Sequence, residues 1–126
     1  MHHSRLAGFI IDCKTDDLEK AAEFWSAALG YPLRAQAEEP SPKYRQLMTG
    51  PDALHIEVQQ VEHESRVHLD IEADDIESEV RRLEALGARR LQSVHTWVVM
   101  EAPTGQRFCI VRPQRPGLQS PENQRR

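Results

Sequence analysis

Only two cysteines occur in the 126 residues, Cys13 and Cys109, and they form no C-x-x-C pair. A disulfide framework is thereby excluded, and two such thiols read as free. Long apolar runs are also lacking: they reach about five residues, against the ~20 a membrane-spanning helix requires. Met1-His2-His3-Ser4 leads into Arg5 and Leu6 with no apolar stretch of the secretory kind, so the cytoplasm is the expected compartment. No stripe gathers the 16 Lys and Arg, and the net charge is −4. A nucleic-acid surface is excluded on that ground, because phosphate neutralisation needs clustered positive charge. What is present is ordinary: 39% hydrophobic and 29% charged residues, over a length that suits one domain with a modest core. Residues 113–126 carry three prolines, three glutamines and no hydrophobic period, so they read as a tail following a domain over 1–112. His2 and His3 are set aside from any site.

An internal repeat organises the chain. GFIIDCKTDDLEKAAEFWSAALGY (8–31) has a counterpart in RVHLDIEADDIESEVRRLEALGAR (66–89). Asp12 matches Asp70, Asp16-Asp17 matches Asp74-Asp75 and Leu18 matches Ile76, all at an offset of 58. In each copy a β-rich segment ends near an Asp, a pair of acids follows, and a helical stripe runs to Leu-Gly. Leu18, Ala22, Trp25 and Leu29 trace one face of the first helix, with Thr15 or Asp16 as cap and Gly30 as a left-handed stop. Ile76, Val80 and Leu83 trace the second, with Asp74 as cap and Gly87 at its end. Trp25 is accordingly a core residue, and the run Glu77 to Glu84 is a solvated helix face.

Three strands are expected after each helix: roughly 32–37, 43–49 and 53–60, then roughly 88–92, 94–100 and 106–112. Turn chemistry at Pro40-Ser41-Pro42, Gly50-Pro51-Asp52 and Ala102-Pro103-Thr104-Gly105 separates them. The expected fold is α+β, two tandem β-α-β-β-β modules (about 7–60 and 66–112) with eight strands.

These residues resemble a known family. Asp16-Asp17-Leu18, Phe24-Trp25, Ala28-Leu29-Gly30-Tyr31, Arg66-Val67-His68-Leu69-Asp70-Ile71, Leu86-Gly87-Ala88 and Pro103-Thr104-Gly105-Gln106-Arg107-Phe108-Cys109 are together similar to the glyoxalase-like branch of the glyoxalase/bleomycin-resistance/dioxygenase (vicinal oxygen chelate) superfamily. The resemblance implies eight strands curling around a shared groove, and commonly a homodimer. In metal-using members it also implies ligands on the first and last strand of each module.

Strand alternation sorts the candidates. Val67, Leu69 and Ile71 should pack on the helices, leaving His68 and Asp70 in the groove. Phe9, Ile11 and Cys13 should likewise face the first helix, with Ile10 and Asp12 inward. Leu54, Ile56 and Val58 should pack, with His55, Glu57 and Gln59 inward. Phe108 and Ile110 should pack, with Arg107, Cys109 and Val111 inward. On the pattern the resemblance implies, His68 stands at the second-module ligand position and Ile10 at its repeat partner, where nothing can coordinate. Glu57, or His55 or Gln59 after a shift of two, stands near the first-module last-strand position. Cys109 stands where metal-using members carry a carboxylate.

The expected function is therefore small-molecule binding in the groove with no resident cofactor. His68 and Asp70 are the candidates for acid/base work. Asp12, His55, Glu57, Gln59, Trp97, Arg107 and Cys109 are the candidate pocket lining, and Tyr44 is a further wall. The alternative is a metal-dependent lyase, isomerase or dioxygenase acting on a small polar metabolite, with a divalent ion on His68 and Glu57. A third reading is a non-catalytic structural dimer. Neither nucleic acid nor membrane is an expected partner.

Overall fold

The acid pairs that open each repeat end strands and begin helices. In the computed structural model, which describes residues 1–126, β1 (His2–Lys14) leads through Thr15–Asp17 into α1 (Leu18–Leu29). β4 (Arg66–Ala73) leads through Asp74–Asp75 into α2 (Ile76–Ala85). The caps are Asp17, which accepts from the Lys20 amide at 3.1 Å, and Asp75, which accepts from the Ser78 amide at 3.1 Å. Both caps have φ −134, and cap and donor are each related by the sequence repeat. The expected caps, Asp16 or Thr15 and Asp74, are each displaced by the residue immediately before the first apolar position. Thr15 is instead occupied in a turn, where its hydroxyl accepts from the Asp17 amide at 3.0 Å. The Asp74 carboxylate accepts from the His3 amide at 2.7 Å. Gly30 ends α1 in the left-handed region at φ 79, as expected.

The remaining strands are β2 (Tyr44–Leu47), β3 (His55–Val61), β5 (Arg89–Val94), β6 (Trp97–Glu101), β7 (Arg107–Val111) and β8 (Gln124–Arg125). The α+β class and the total of eight strands agree with expectation, but one of the eight is a different segment. Residues 32–37 supply only a bridge, Leu33 to Leu47, followed by a 3-10 turn at Gln36–Glu38. Pro32 has no amide to give a ladder, and its carbonyl takes the Met48 amide at 2.7 Å. The eighth strand comes from the tail: β8 pairs antiparallel with the start of β1, His2 opposite Arg125.

The chain forms two units. One comprises Met1–Gly8 and His68–Arg126, the other Phe9–Val67, and β1 contributes to both. In the first, the strand order is β1-β4-β7-β6-β5, with β4 parallel to β7 and the β7-β6-β5 pairs antiparallel. Its core packs Ala73, Val98, Met100, Phe108 and Ile110 against Val80 of α2, with Ile71, Ile76 and Leu83 at the margin. Ala73, Ile71, Phe108, Ile110, Val98 and Met100 share one sheet face by register, so α2 covers one face and leaves the alternate residues on the other. In the second unit the order is β2-β3-β1, and Leu47, Val58, Leu18 and Ala22 are buried there.

Several packing expectations fail, among them Leu29 on the stripe of α1, which is 44% exposed. Val67 and Leu69 are 59% and 44% exposed, so the apolar alternation of β4 is buried only from Ile71 onward. Glu79, expected on a solvated helix face, has no exposed surface at all. No helix of the chain is long and apolar enough to cross a membrane.

Candidate functional site

The face of β4 opposite α2 is polar three times in succession, at His68, Asp70 and Glu72. His68 and Asp70 are two apart on one strand and therefore point the same way, with imidazole Nε2 and carboxylate Oδ1 separated by 3.5 Å. Parallel pairing sets Asp70 beside Cys109 of β7. As a result His68, Asp70 and Cys109 converge: one donor atom from each lies within 4.8 Å of the others. The two charged-type side chains are 15% and 13% exposed, enclosed enough to lose much of their hydration without being sealed in the core. β6 and β5 continue the face with Val99 beside Cys109 and Gln92 beside Val99. Trp97 and Arg107 belong to the same face by alternation, Arg107 lying opposite Glu101. Trp97 is half-buried, with the His95 ring 6.0 Å away. Alternation thus identified correctly which β7 residues pack, since Phe108 and Ile110 are in the core and Cys109 is not.

Glu72 completes the face and was missed by sequence reasoning. It is wholly buried, 3.6 Å from Arg5 Nη2 and 3.5 Å from Arg115 Nε, and its Oε1 accepts from the Gln114 amide at 3.3 Å. It holds the residues after β7 in place. The sequence signal was available, because Glu72 follows His68 and Asp70 at the same two-residue spacing.

The other candidates sit in the second unit. His55, Glu57 and Gln59 alternate on β3 as expected. The His55 Nε2–H donates to Glu57 at 2.6 Å, the Gln46 amide donates to His55 Nδ1 at 3.3 Å, and Gln59 donates to the Tyr44 hydroxyl at 3.1 Å. Asp12 is buried, with Arg66 Nε 3.8 Å from its carboxylate. Within this unit Glu57 has His55 beside it. Within the other unit Asp70 and Cys109 are among the groups beside His68.

Imidazole, carboxylate and thiol are a donor set that suits a borderline divalent ion such as Zn²⁺ and suits hard Mg²⁺ poorly. The residues present thus fit a metal, although not the carboxylate-rich kind. Cys13, the other thiol, stands apart in character: burial pushes its pKa up, a bond with Trp25 opposing that.

His2 also proves to be a structural residue. Buried at the start of β1, its Nε2–H donates to Glu79 at 2.7 Å.

The model for a glyoxalase-like domain matches residues 8–111. Among curated proteins the sequence has no match. Among solved structures, a hypothetical protein from Bacillus halodurans C-125 is similar at a TM-score of 0.63 and 12% identity, over 90% of this chain and 97% of that one. The methylmalonyl-CoA epimerase of Mycobacterium tuberculosis gives 0.62 and 18%, over 86% and 87%. A methylmalonyl-CoA epimerase in complex with methylmalonyl-CoA and ammonium gives 0.57 and 16%, over 94% and 99%. At such identities these neighbours establish the fold alone.

Proposed function

This chain belongs to the family of glyoxalase-like domains, and on that footing we propose that it binds a small polar molecule against the sheet face that carries His68, Asp70 and Cys109. The observation that supports this is the convergence of those three side chains on the side of the sheet away from α2, each partly enclosed. A binding face of this kind needs a few converging polar groups set among less polar neighbours. Val99 and Trp97 supply the apolar surroundings, and Arg107 supplies a cation at the margin. Structural neighbours include methylmalonyl-CoA epimerases in complex with methylmalonyl-CoA and with 2-nitronate-propionyl-CoA, which makes CoA thioesters a sensible part of a first screen.

The test is a thermal-shift screen of the purified protein with cationic metabolites, carboxylates and CoA thioesters. A ligand that raises the melting temperature should lose its effect in His68→Ala and in Asp70→Ala, whose own melting temperatures are measured without ligand. A shift that both variants retain would place the binding elsewhere.

A catalytic reading of the same face rests on the His68–Asp70 contact. A carboxylate beside an imidazole orients the ring and stabilises its protonated form, which suits proton transfer to or from carbon. Incubation of a ligand from the screen in D₂O, followed by NMR, checks it: loss of an acidic C–H signal in the wild type but not in His68→Ala supports catalysis. The proposal carries a cytoplasmic homodimer, to be checked by cell fractionation and sedimentation. The exposed Phe24, Val67 and Leu86 are apolar surface of the kind a second subunit covers.

A further inference from the structure

We propose that the cleft between the start of α1 and the 36–45 segment binds a small organic cation bearing an ammonium or guanidinium group. The cleft holds about 380 Å³, within the range of small-molecule pockets, and lies wholly in the unit Phe9–Val67. Asp16, Asp17, Glu19 and Glu39 line it together with Arg45, so carboxylates outnumber the one guanidinium. Register places it on the helix side of β2. Gln46 pairs with Glu57, so Arg45 points to the opposite side from Glu57, toward α1, where it bonds Glu19. The cleft shares no residue with the sheet face that carries His68, Asp70 and Cys109.

The choice of ligand follows from which charges are already answered. Arg45 is committed: it donates to both oxygens of Glu19 and to the Arg34 carbonyl at 3.0 Å, and its Nε stands 3.6 Å from Glu39 Oε2. The same Glu39 Oε2 accepts from the Gln46 amide at 2.6 Å. Glu39 Oε1 has no hydrogen-bond donor in the protein, although the side chain is only 4% exposed. A carboxylate oxygen so enclosed is costly without a donor and calls for one from outside the chain. Asp17 gives one oxygen to the Lys20 amide, and with Glu19 it answers the positive end of α1. Asp16 adds a further negative charge, exposed to solvent. The site therefore asks for positive charge that carries N–H groups. Pro42 and Tyr44 line the same cleft and offer a wall for a methylene chain.

This inference does not rest on the function proposed for the His68 face, and the two fail separately. The experiment is isothermal titration of the full-length chain with agmatine, which carries both an ammonium and a guanidinium on a short methylene chain. Tetramethylammonium, a cation with no N–H group, is titrated in parallel, and both titrations are repeated at high salt.

Agmatine should bind at one site per chain and more tightly than tetramethylammonium, with affinity falling as salt rises. Glu39→Gln should weaken binding by about tenfold or more, since it removes an enclosed charged acceptor. Asp16→Asn should weaken it by about two- to fivefold, the scale of a solvent-exposed charge. His68→Ala should bind agmatine as the wild type does. Circular dichroism of each variant separates loss of the site from loss of the fold, and the exposed Asp16 position supplies the decisive variant should Glu39→Gln misfold. Absence of agmatine binding to the folded wild type overturns the proposal. Equal binding by wild type and both carboxylate variants does so too, as does tetramethylammonium binding as tightly as agmatine. Loss of agmatine binding in a folded His68→Ala would place the cation on the other face and would also count against it.

Discussion

A carboxylate with no exposed surface needs its charge answered inside the protein, and Glu79 is answered by four donors. Arg82 approaches side-on, Nε at 2.8 Å and Nη2 at 2.7 Å, the His2 ring donates at 2.7 Å, and the Ser4 hydroxyl adds a bond. Burial pushes the carboxyl upward, but these hydrogen bonds and the Arg82 charge outweigh it and hold the pKa down at about 2, against an ordinary 4.5. Because the folded value is depressed, the stabilisation is fully present above pH 4.5 and disappears as pH falls through about 2. A shift of that size corresponds to about 3 kcal/mol. Glu79→Gln should therefore lower stability at neutral pH by about 3 kcal/mol, since Arg82 then loses its counter-charge and the His2 ring its carboxylate acceptor. The variant should also have a flatter stability curve than wild type between pH 4.5 and 2. Urea unfolding at a series of pH values measures both, and parallel curves for the two proteins would refute the assignment. This residue was illegible in the sequence for a plain reason. Glu79 lies in the acidic and basic run of α2, and the partner that buries it is 77 positions away. His68, Asp70 and Cys109 were legible because alternation along a strand is a local signal; that Asp70 and Cys109 are neighbours was not, since it depends on register between β4 and β7.

At the level of elements, the repeat was the informative feature, and both helices start where it places their first apolar residue, Leu18 and Ile76. The caps came out one residue later than expected because each acid pair offers two candidates with the same side chain. Tertiary contacts decide between them: Asp74 is engaged by His3, through its amide and its ring, leaving Asp75 to cap. The segment 32–37 had strand-like composition, yet a strand there would need an amide that Pro32 lacks. Asp17 tests the cap reading. Asp17→Ala should cost about 1 kcal/mol in unfolding free energy by leaving the Lys20 amide unsatisfied in the first turn of α1. Asp17→Asn should restore most of it, because an amide oxygen still accepts that bond, whereas Asp16→Ala should change little. Equal losses at 16 and 17 would mean that the cap is shared.

For the chain as a whole, the segment that composition marks as a tail is built into the unit formed by Met1–Gly8 and His68–Arg126. Leu118 is 4% exposed, and the buried Asn123 folds the segment on itself, its amide donating to the Leu118 carbonyl at 3.1 Å. Gln124 and Arg125 pair with His3 and His2, and the Arg115 guanidinium donates to the Leu6 carbonyl at 2.6 Å while its Nε faces Glu72. Arg5 answers by donating to the Pro116 carbonyl at 2.6 Å. None of these contacts has a local periodicity, because the partners come from the opposite end of the sequence and most are polar, so a Pro- and Gln-rich stretch reads as unstructured until the fold supplies its partners. The consequence is measurable in two steps. Leu118→Ala should destabilise by about 2 to 3 kcal/mol, the lower part of the range for emptying a buried leucine site. Deleting residues 113–126 should cost more than that substitution, because it also leaves Glu72 with Arg5 as its remaining arginine partner and exposes the edge of β1 at His2 and His3. Urea midpoints that rank wild type above Leu118→Ala and both above the deletion are the expected result. A deletion variant as stable as wild type would show that the segment rests on the unit without holding it together.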